Sequence, residues 1–325
     1  MKRAVVLGLL AAFGAVTITV TAYQAQGGQQ QARPRAKAPD IYKLKENLYV
    51  IGGSMPEYGD EFTGGNTAVW VTEKGVVVVD TKNPTWGQEI LSKIKRITDK
   101  PVIMVLTSHG HNDHAGSNPE MPAPPSVEYI VHENIRAMWG KAECQPVANC
   151  QVFRGDKTAW LPKKTFKDKM TLLDGNDRVE LYWFGRGHTN GDTWIVFPAA
   201  RTMHVGDLYR PKLPPFMDID NGGSGVEFGE TLAKGVAGIK NVDTVIPGHG
   251  FAMTFDDIKL HRDFLLDMAK RVRDGIKAGK TVEQMAKEYP TPAPFKGYME
   301  GAQAQAGRQT LQRDMQIIYD ELTKK

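Results

Sequence analysis

Cysteine is nearly absent from this chain: two in 325 residues, Cys144 and Cys150. With no C-x-x-C pair, a zinc cluster built on thiolates is excluded. There is no G-x-S-x-G either, so the nucleophile elbow of serine hydrolases is missing. Charge of one sign is not in excess: 41 Lys and Arg stand against 37 Asp and Glu, for a net +4. That balance is too near neutral to imply a nucleic-acid partner. Histidine is scarce as well, with eight residues, so any clustering of it carries information.

Three of the eight fall within His109-Gly110-His111-Asn112-Asp113-His114, an H-x-H-x-D-H run. It follows Val102-Ile103-Met104-Val105-Leu106, which reads as a buried strand. Neutral imidazole and carboxylate are the ligands zinc takes in catalytic sites. His109 and His111, two apart in an extended segment, point to one side. Asp113 and His114 are adjacent and cannot converge with both of those histidines on one tetrahedral ion. Four ligands in two pairs fit two ions a few Å apart. Further candidates follow other short apolar runs: His188 in Gly187-His188-Thr189, Asp207 in Gly206-Asp207, and His249 in Pro247-Gly248-His249-Gly250. Glycine beside each lets the backbone turn sharply toward an ion.

The ordered series H-x-H-x-D-H, G-H-T, G-D and P-G-H-G resembles the metallo-β-lactamase-fold hydrolases over about residues 41 to 255. The resemblance implies an α+β fold, a four-layer αββα sandwich of two mixed sheets with helices outside, and two Zn²⁺ ions at one edge. Carried over by position, His109, His111 and His188 would hold the first ion. Asp113, His114 and His249 would hold the second, with Asp207 bridging. Asp80, in Val79-Asp80-Thr81, matches an early strand-end Asp that supports the site without ligating. The loop Ser54 to Gly65 corresponds to a flap over the substrate, which makes Tyr58 and Phe62 substrate-binding candidates. Two ions sharing a water would lower its pKa toward neutrality, and Asp113 could also orient that nucleophile.

Asp207 stands where the best-known zinc β-lactamases carry Cys, and Asp there is typical of the wider superfamily. Arg210 nevertheless occupies the place of the cation that grips a substrate carboxylate, and guanidinium pairs well with carboxylate. The expected activity is therefore hydrolysis of an amide, lactone or ester in a small molecule, with β-lactams the leading example. A thioester hydrolase similar to glyoxalase II, or an iron-dependent persulfide dioxygenase on the same frame, is the alternative. His111 argues against the diiron oxygen reductases of this fold, which usually carry Glu there. A non-catalytic binding module is disfavoured by the full ligand set.

Lys2-Arg3, the apolar run Ala4 to Val20 and the small residues Val20-Thr21-Ala22 read as an export signal over residues 1–22. A periplasmic or secreted protein with no stable membrane insertion is expected. Residues 23–40, rich in Gln, Ala, Gly and Pro, read as a flexible leader. One domain then covers 41–325, with helices from about residue 256. In an oxidising compartment Cys144 and Cys150 are candidates for a local disulfide. Strands are expected at 48–51, 67–71, 76–80, 102–106, 127–131, 179–184, 193–197 and 202–205. Helices are expected at 88–97, 256–276 and about 302–322, and Thr281 with Gln284 forms a capping-box pattern. His132 and His204 read as structural residues, and His261 as a surface one.

Overall fold

The computed structural model describes residues 38–54, 62–144, 147, 150–210, 215–289 and 311–324. The expected export signal, most of the expected leader and Tyr58 lie outside the described residues.

Two β-sheets stack face to face. The first holds β1 (Ile41–Lys45), β2 (Leu48–Ile51), β3 (Thr67–Val71), β4 (Val76–Val79), β5 (Val102–Leu106), β6 (Glu128–His132) and β7 (Lys164–Phe166), side by side in chain order. Strands β1 to β4 are antiparallel, and β4 to β7 run parallel. The second sheet holds β8 (Lys169–Leu172), β9 (Val179–Tyr182), β10 (Trp194–Phe197), β11 (Thr202–His204), β12 (Thr244–Ile246) and β13 (Met253–Thr254), again in chain order. Within it β11 and β12 pair in parallel.

Period-two alternation sorts the side chains of each strand. Ile195 and Phe197 of β10 face the first sheet and join Val77, Val79, Met104, Leu106 and Ile130 in the core between the sheets. Trp194 and Val196 of the same strand face the other way, onto helices. Those helices are α4 (Phe228–Gly238), α5 (Phe255–Lys277), α6 (Val282–Lys287) and α7 (Leu311–Thr323). Helix α1 (Gly87–Lys95) buries Ile90 and Ile94, and α3 (Glu133–Gly140) buries Ile135, Met138 and Trp139. The short α2 (Asn112–Ala115) carries two of the candidate ligands. The expected αββα sandwich is the observed one.

The strands expected from the sequence are present within a residue or two, while β1, β7, β8 and β13 were not expected. These are short, partly exposed strands without a clean run of apolar residues to announce them. The helix expected at 256–276 runs from Phe255 to Lys277, started by a Thr254–Asp257 capping box. Thr281 and Gln284 make the expected reciprocal cap. Cys144 and Cys150 are joined in a disulfide, with 5.9 Å between their Cα atoms. His261 corrects the sequence reading: it is buried in α5, against Tyr209 and Phe228. A helical position says nothing of which face meets the sheet until the sheet is there to cover it.

Parallel β4 and β5 end at one edge of the first sheet. In the second sheet β9, β11 and β12 share a direction, through the antiparallel β10 between β9 and β11. Backbone bonds lace these ends together: Thr193 donates to Ser108 O at 2.7 Å, Asn66 to Gly248 O at 2.7 Å, and Gly65 to Asp113 O at 2.9 Å.

Candidate metal centre

Every strand end at this edge delivers a polar side chain. The turn after β5 presents His109 and His111, and α2 presents Asp113 and His114. The β9–β10 loop carries His188, the 3-10 turn after β11 carries Asp207, and the turn after β12 carries His249. The tight turns are required by contact as well as by conformation. A Cβ on Gly248 would lie 1.8 Å from Asp207 Oδ1, and one on Gly65 would lie 2.3 Å from His114 Cε1.

The ligating atoms fall into sets lying within 4.8 Å of one another: His109, His111 and His188; His109, Asp113 and His114; His114, Asp207 and His249. His111 Nδ1 is 3.1 Å from His188 Nε2. His249 Nε2 is 3.2 Å from Asp113 Oδ2, and His114 Nε2 is 3.3 Å from Asp207 Oδ1. Asp207 Oδ2 lies 3.9 Å from His188 Nε2. The two oxygens of Asp207 thus face the two groups of imidazoles, the disposition needed to bridge them.

The outward nitrogens of the five rings determine which atoms look inward. His111 Nε2 donates to Asp218 Oδ2 at 2.6 Å, and His188 Nδ1 to Phe216 O at 2.6 Å. His114 Nδ1 donates to Asp80 Oδ2 at 2.7 Å, and His249 Nδ1 to Ser54 O at 2.9 Å. Ser108 spends its hydroxyl hydrogen on Asp80 Oδ2, so its oxygen accepts from His109 Nδ1 at 3.1 Å. Each ring is thereby oriented with its other nitrogen directed into the cluster, the usual outer support of a metal-ligating His. One inward atom, His109 Nε2, is buried without a hydrogen-bond partner among the described residues, and Asp207 Oδ1 is met by the ion-pair contacts of His114 and His249. Leaving the His109 nitrogen unpaired costs about 1–3 kcal/mol, and a divalent cation would satisfy it. The donor set, all imidazole and carboxylate, fits zinc.

Charge divides the cluster. Burial, with the like charges of His114, His111 and His188, pushes His109 well below the usual imidazole range. Burial and His111 bring His188 down to about 4. Burial opposes protonation of His249 too, but Asp207 and Asp113 outweigh it and hold this ring up at about 9. His114 is raised in the same way, against burial, by Asp113, Asp207 and Asp80. Asp113 and Asp207 are drawn below the carboxylate range by those two rings, against the effect of burial.

The seven predicted ligands are brought together, and Asp80 lies beneath them, bonded to His114 and to Ser108 N–H and Oγ. It holds φ of 61°, a left-handed conformation that a non-glycine residue keeps only where its surroundings enforce it. Phe62 stands over His249, with 5.7 Å between ring centroids. Arg210 is 2% exposed, and its charge acts on His261 and on the buried carboxyl of Asp314. His132 caps α3 and bonds Lys167 O, and His204 is buried against Asn66 O, both structural.

Three contributors were not anticipated. Asp218 orients His111 and also accepts from Asn221. Asn66 ties Gly53 N–H to Pro247 O and Gly250 O. Lys82 is fully buried, and burial pushes its ammonium down to about 7 against the pull of Asp80. None has a local motif; only a Lys two residues past a strand-end Asp could have drawn notice.

The profile of a family described as the metallo-beta-lactamase superfamily matches residues 60–261. A metallo-beta-lactamase type 2 from Elizabethkingia meningoseptica is 28% identical over 187 residues, 55% of this chain and 65% of that one, so the chain spans just under two thirds of this relative. Metallo-beta-lactamase IND-1 from Chryseobacterium indologenes is 21% identical over 207 residues, 63% of this chain and 80% of that one. Among solved structures, DIM-1 metallo-beta-lactamase exposed to ceftazidime superposes with TM-score 0.55 at 19% identity, covering 72% of this chain and 99% of that one. The inverting sec-alkylsulfatase Pisa1 from a Pseudomonas superposes with TM-score 0.67 at 14% identity, covering 88% and 50%. At such identities the superpositions speak for a shared fold.

Proposed function

The chain belongs to the metallo-beta-lactamase superfamily and is a metal-dependent hydrolase, and from that premise we propose an exported dizinc enzyme that cleaves an amide, lactone or ester bond. One observation carries the dinuclear reading: seven side chains converge with every outward imidazole nitrogen satisfied, while the inward His109 Nε2 has no hydrogen-bond partner among the described residues and the two Asp207 oxygens face the two groups of imidazoles. His109, His111 and His188 would hold one ion and Asp113, His114 and His249 the other, with Asp207 between. Bound there, two divalent ions would supply Lewis acidity and an activated water.

The chain's own residues do the rest. Asp113, held ionised beside His114 and His249, is placed to orient the attacking water. Phe62 offers an apolar surface above His249 for the group flanking the scissile bond. The relatives named as metallo-beta-lactamases make a β-lactam the first substrate to test. Arg210 lends this lean less support than its sequence position promised, because it is buried beside Asp314 and His261.

The test joins metal analysis of the purified protein to a screen of nitrocefin, lactones, thioesters and phosphodiesters. Close to two equivalents of zinc and loss of turnover on chelation are expected. One tightly bound iron without zinc would instead place the protein with the persulfide dioxygenases. Turnover of thioesters alone would make it a thioester hydrolase. Mature protein from the native host should begin near Tyr23; a cytosolic form starting at Met1 would remove the export reading.

A further inference from the structure

Lys82 lies at no ligand position, yet it is among the most deeply buried cations of the molecule. Among the described residues its ammonium makes no ion pair within the site and donates instead to three carbonyls: Gly65 O at 2.7 Å, Gly52 O at 2.8 Å and Ile51 O at 3.3 Å. Three donors meet three acceptors, which is the full capacity of an ammonium. The backbone there is left-handed, with φ of 64°, a cost that a non-glycine residue bears only when its surroundings demand it.

The three carbonyls belong to the two stems of the loop that follows β2. Each stem meets one imidazole of the second metal half. The first stem continues from Gly52 to Ser54, whose carbonyl accepts from His249 Nδ1 at 2.9 Å. The second stem brings Gly65 so close to the His114 ring that even a methyl group would collide with it. Gly65 N–H also donates to Asp113 O at 2.9 Å. The backbone around Lys82 reinforces the same link: Gly116 N–H donates to Lys82 O at 3.0 Å, Thr81 N–H to His114 O at 2.7 Å, and Asn83 N–H to Thr63 O at 3.2 Å. Asn83 Nδ2 adds a bond to Phe62 O at 3.1 Å. The outer supports of His111 and His188, by contrast, are Asp218 and Phe216 O, on a segment that Lys82 does not reach.

We propose that Lys82 is a positioning residue for the second metal half: by fastening both stems of the β2–β3 loop with one ammonium, it sets the rings of His114 and His249 and couples that loop to metal occupancy. The inference rests on the dinuclear reading above and concerns only one of its halves.

The test is titration of chelator-stripped protein with Co²⁺, followed by visible absorption. Wild type should take up two equivalents. Lys82→Met keeps the stem's volume and removes the donors. It should bind the first equivalent as wild type does and the second at least roughly tenfold more weakly, the scale of losing outer support at a metal site, with a shifted ligand-field band. Two wild-type equivalents with unchanged spectra would reduce Lys82 to core filling and overturn the proposal. Should Lys82→Met fail to fold, Lys82→Gln, which retains two N–H donors, serves in its place. An independent measurement needs no variant: amide hydrogen exchange of the wild type with and without metal. Chelation should speed exchange at Gly53, Ser54, Thr63 and Gly65; unchanged exchange there would overturn the coupling. If wild type binds a single ion, the dinuclear reading fails by itself, and exchange compared between wild type and Lys82→Met, with and without metal, still decides for or against Lys82.

Discussion

The two halves of the proposed metal centre sit side by side where the strand ends of the two sheets meet, yet they are built on opposite electrostatic plans. On one side are His109, His111 and His188, with burial and mutual repulsion keeping His109 and His188 neutral far below ordinary pH. On the other side His114 and His249 face Asp113 and Asp207, and the carboxylates keep both rings charged. Neutral imidazole is ready to ligate, whereas a charged one must first release a proton. The first half is a preformed ligand set. The second is an ion-pair network that a metal must displace. The difference arises largely from carboxylate placement: Asp113 stands within the second trio, and Asp207 lies closer to His114 and His249 than to His188.

The most severe way to break this comparison is His249→Ala. The second equivalent of zinc should be lost and the first retained, with turnover down by roughly 100- to 1000-fold or more, the scale of removing one electrostatic partner of a reaction. Loss of both equivalents in metal analysis would show that the halves are not separable. A finer cut is made through the outer supports. Asp218→Asn should weaken the first equivalent and Asp80→Asn the second, each by roughly 10- to 100-fold. Calorimetric titration reads both, and a swap of the affected equivalent would invert the assignment.

Acidity separates the halves more gently. His249 titrates at about 9 in the metal-free protein, so affinity at the second half should rise with pH up to that point, about tenfold per unit for each proton displaced. His188 is held down at about 4, so this ligand of the first half should need no deprotonation until the pH falls to that region. Competition with a chelator of known affinity at several pH values would show two slopes; parallel slopes would erase the distinction. The same ring has a stability consequence. Its folded pKa is raised, so its ion pairs stabilise the metal-free fold fully below the unfolded imidazole range and cease to do so as pH rises through about 9. The thermal midpoint of chelated protein should fall across that window. The smallest catalytic effect is expected from Arg210→Ala. Its guanidinium is buried beside Asp314 and His261, so the thermal midpoint should drop while KM for an anionic substrate stays within about threefold. A KM increase of roughly tenfold or more, equivalent to about 1.4 kcal/mol and near the lower end for a charged hydrogen bond, would reinstate it as a carboxylate grip.

Much of the centre is legible in the sequence, because its ligands are presented by chain order. His109, His111, Asp113 and His114 fall within six residues, and His188, Asp207 and His249 each follow an apolar strand with a glycine beside them. Such signals are local, and a periodicity or a turn can be read within a few residues. Asp218 is not legible, since 107 positions separate it from the His111 it orients. Nor is Lys82, whose acceptors Ile51, Gly52 and Gly65 lie on two stems of a different loop. His261 misleads for a related reason: it is a polar residue of α5 whose face is covered only once that helix has docked.

The sequence by itself determined most of the strands, the helix caps and the ordered set of candidate ligands whose resemblance implies the αββα sandwich, because strand alternation, helix capping and short-range spacing act between near neighbours along the chain. The tertiary structure alone decided the rest: which nitrogen of each imidazole faces inward, which half carries charge, and which cation clamps the loop. Those outcomes depend on distances between strand ends far apart in sequence, and on a dielectric environment that exists only after the two sheets have closed over the site.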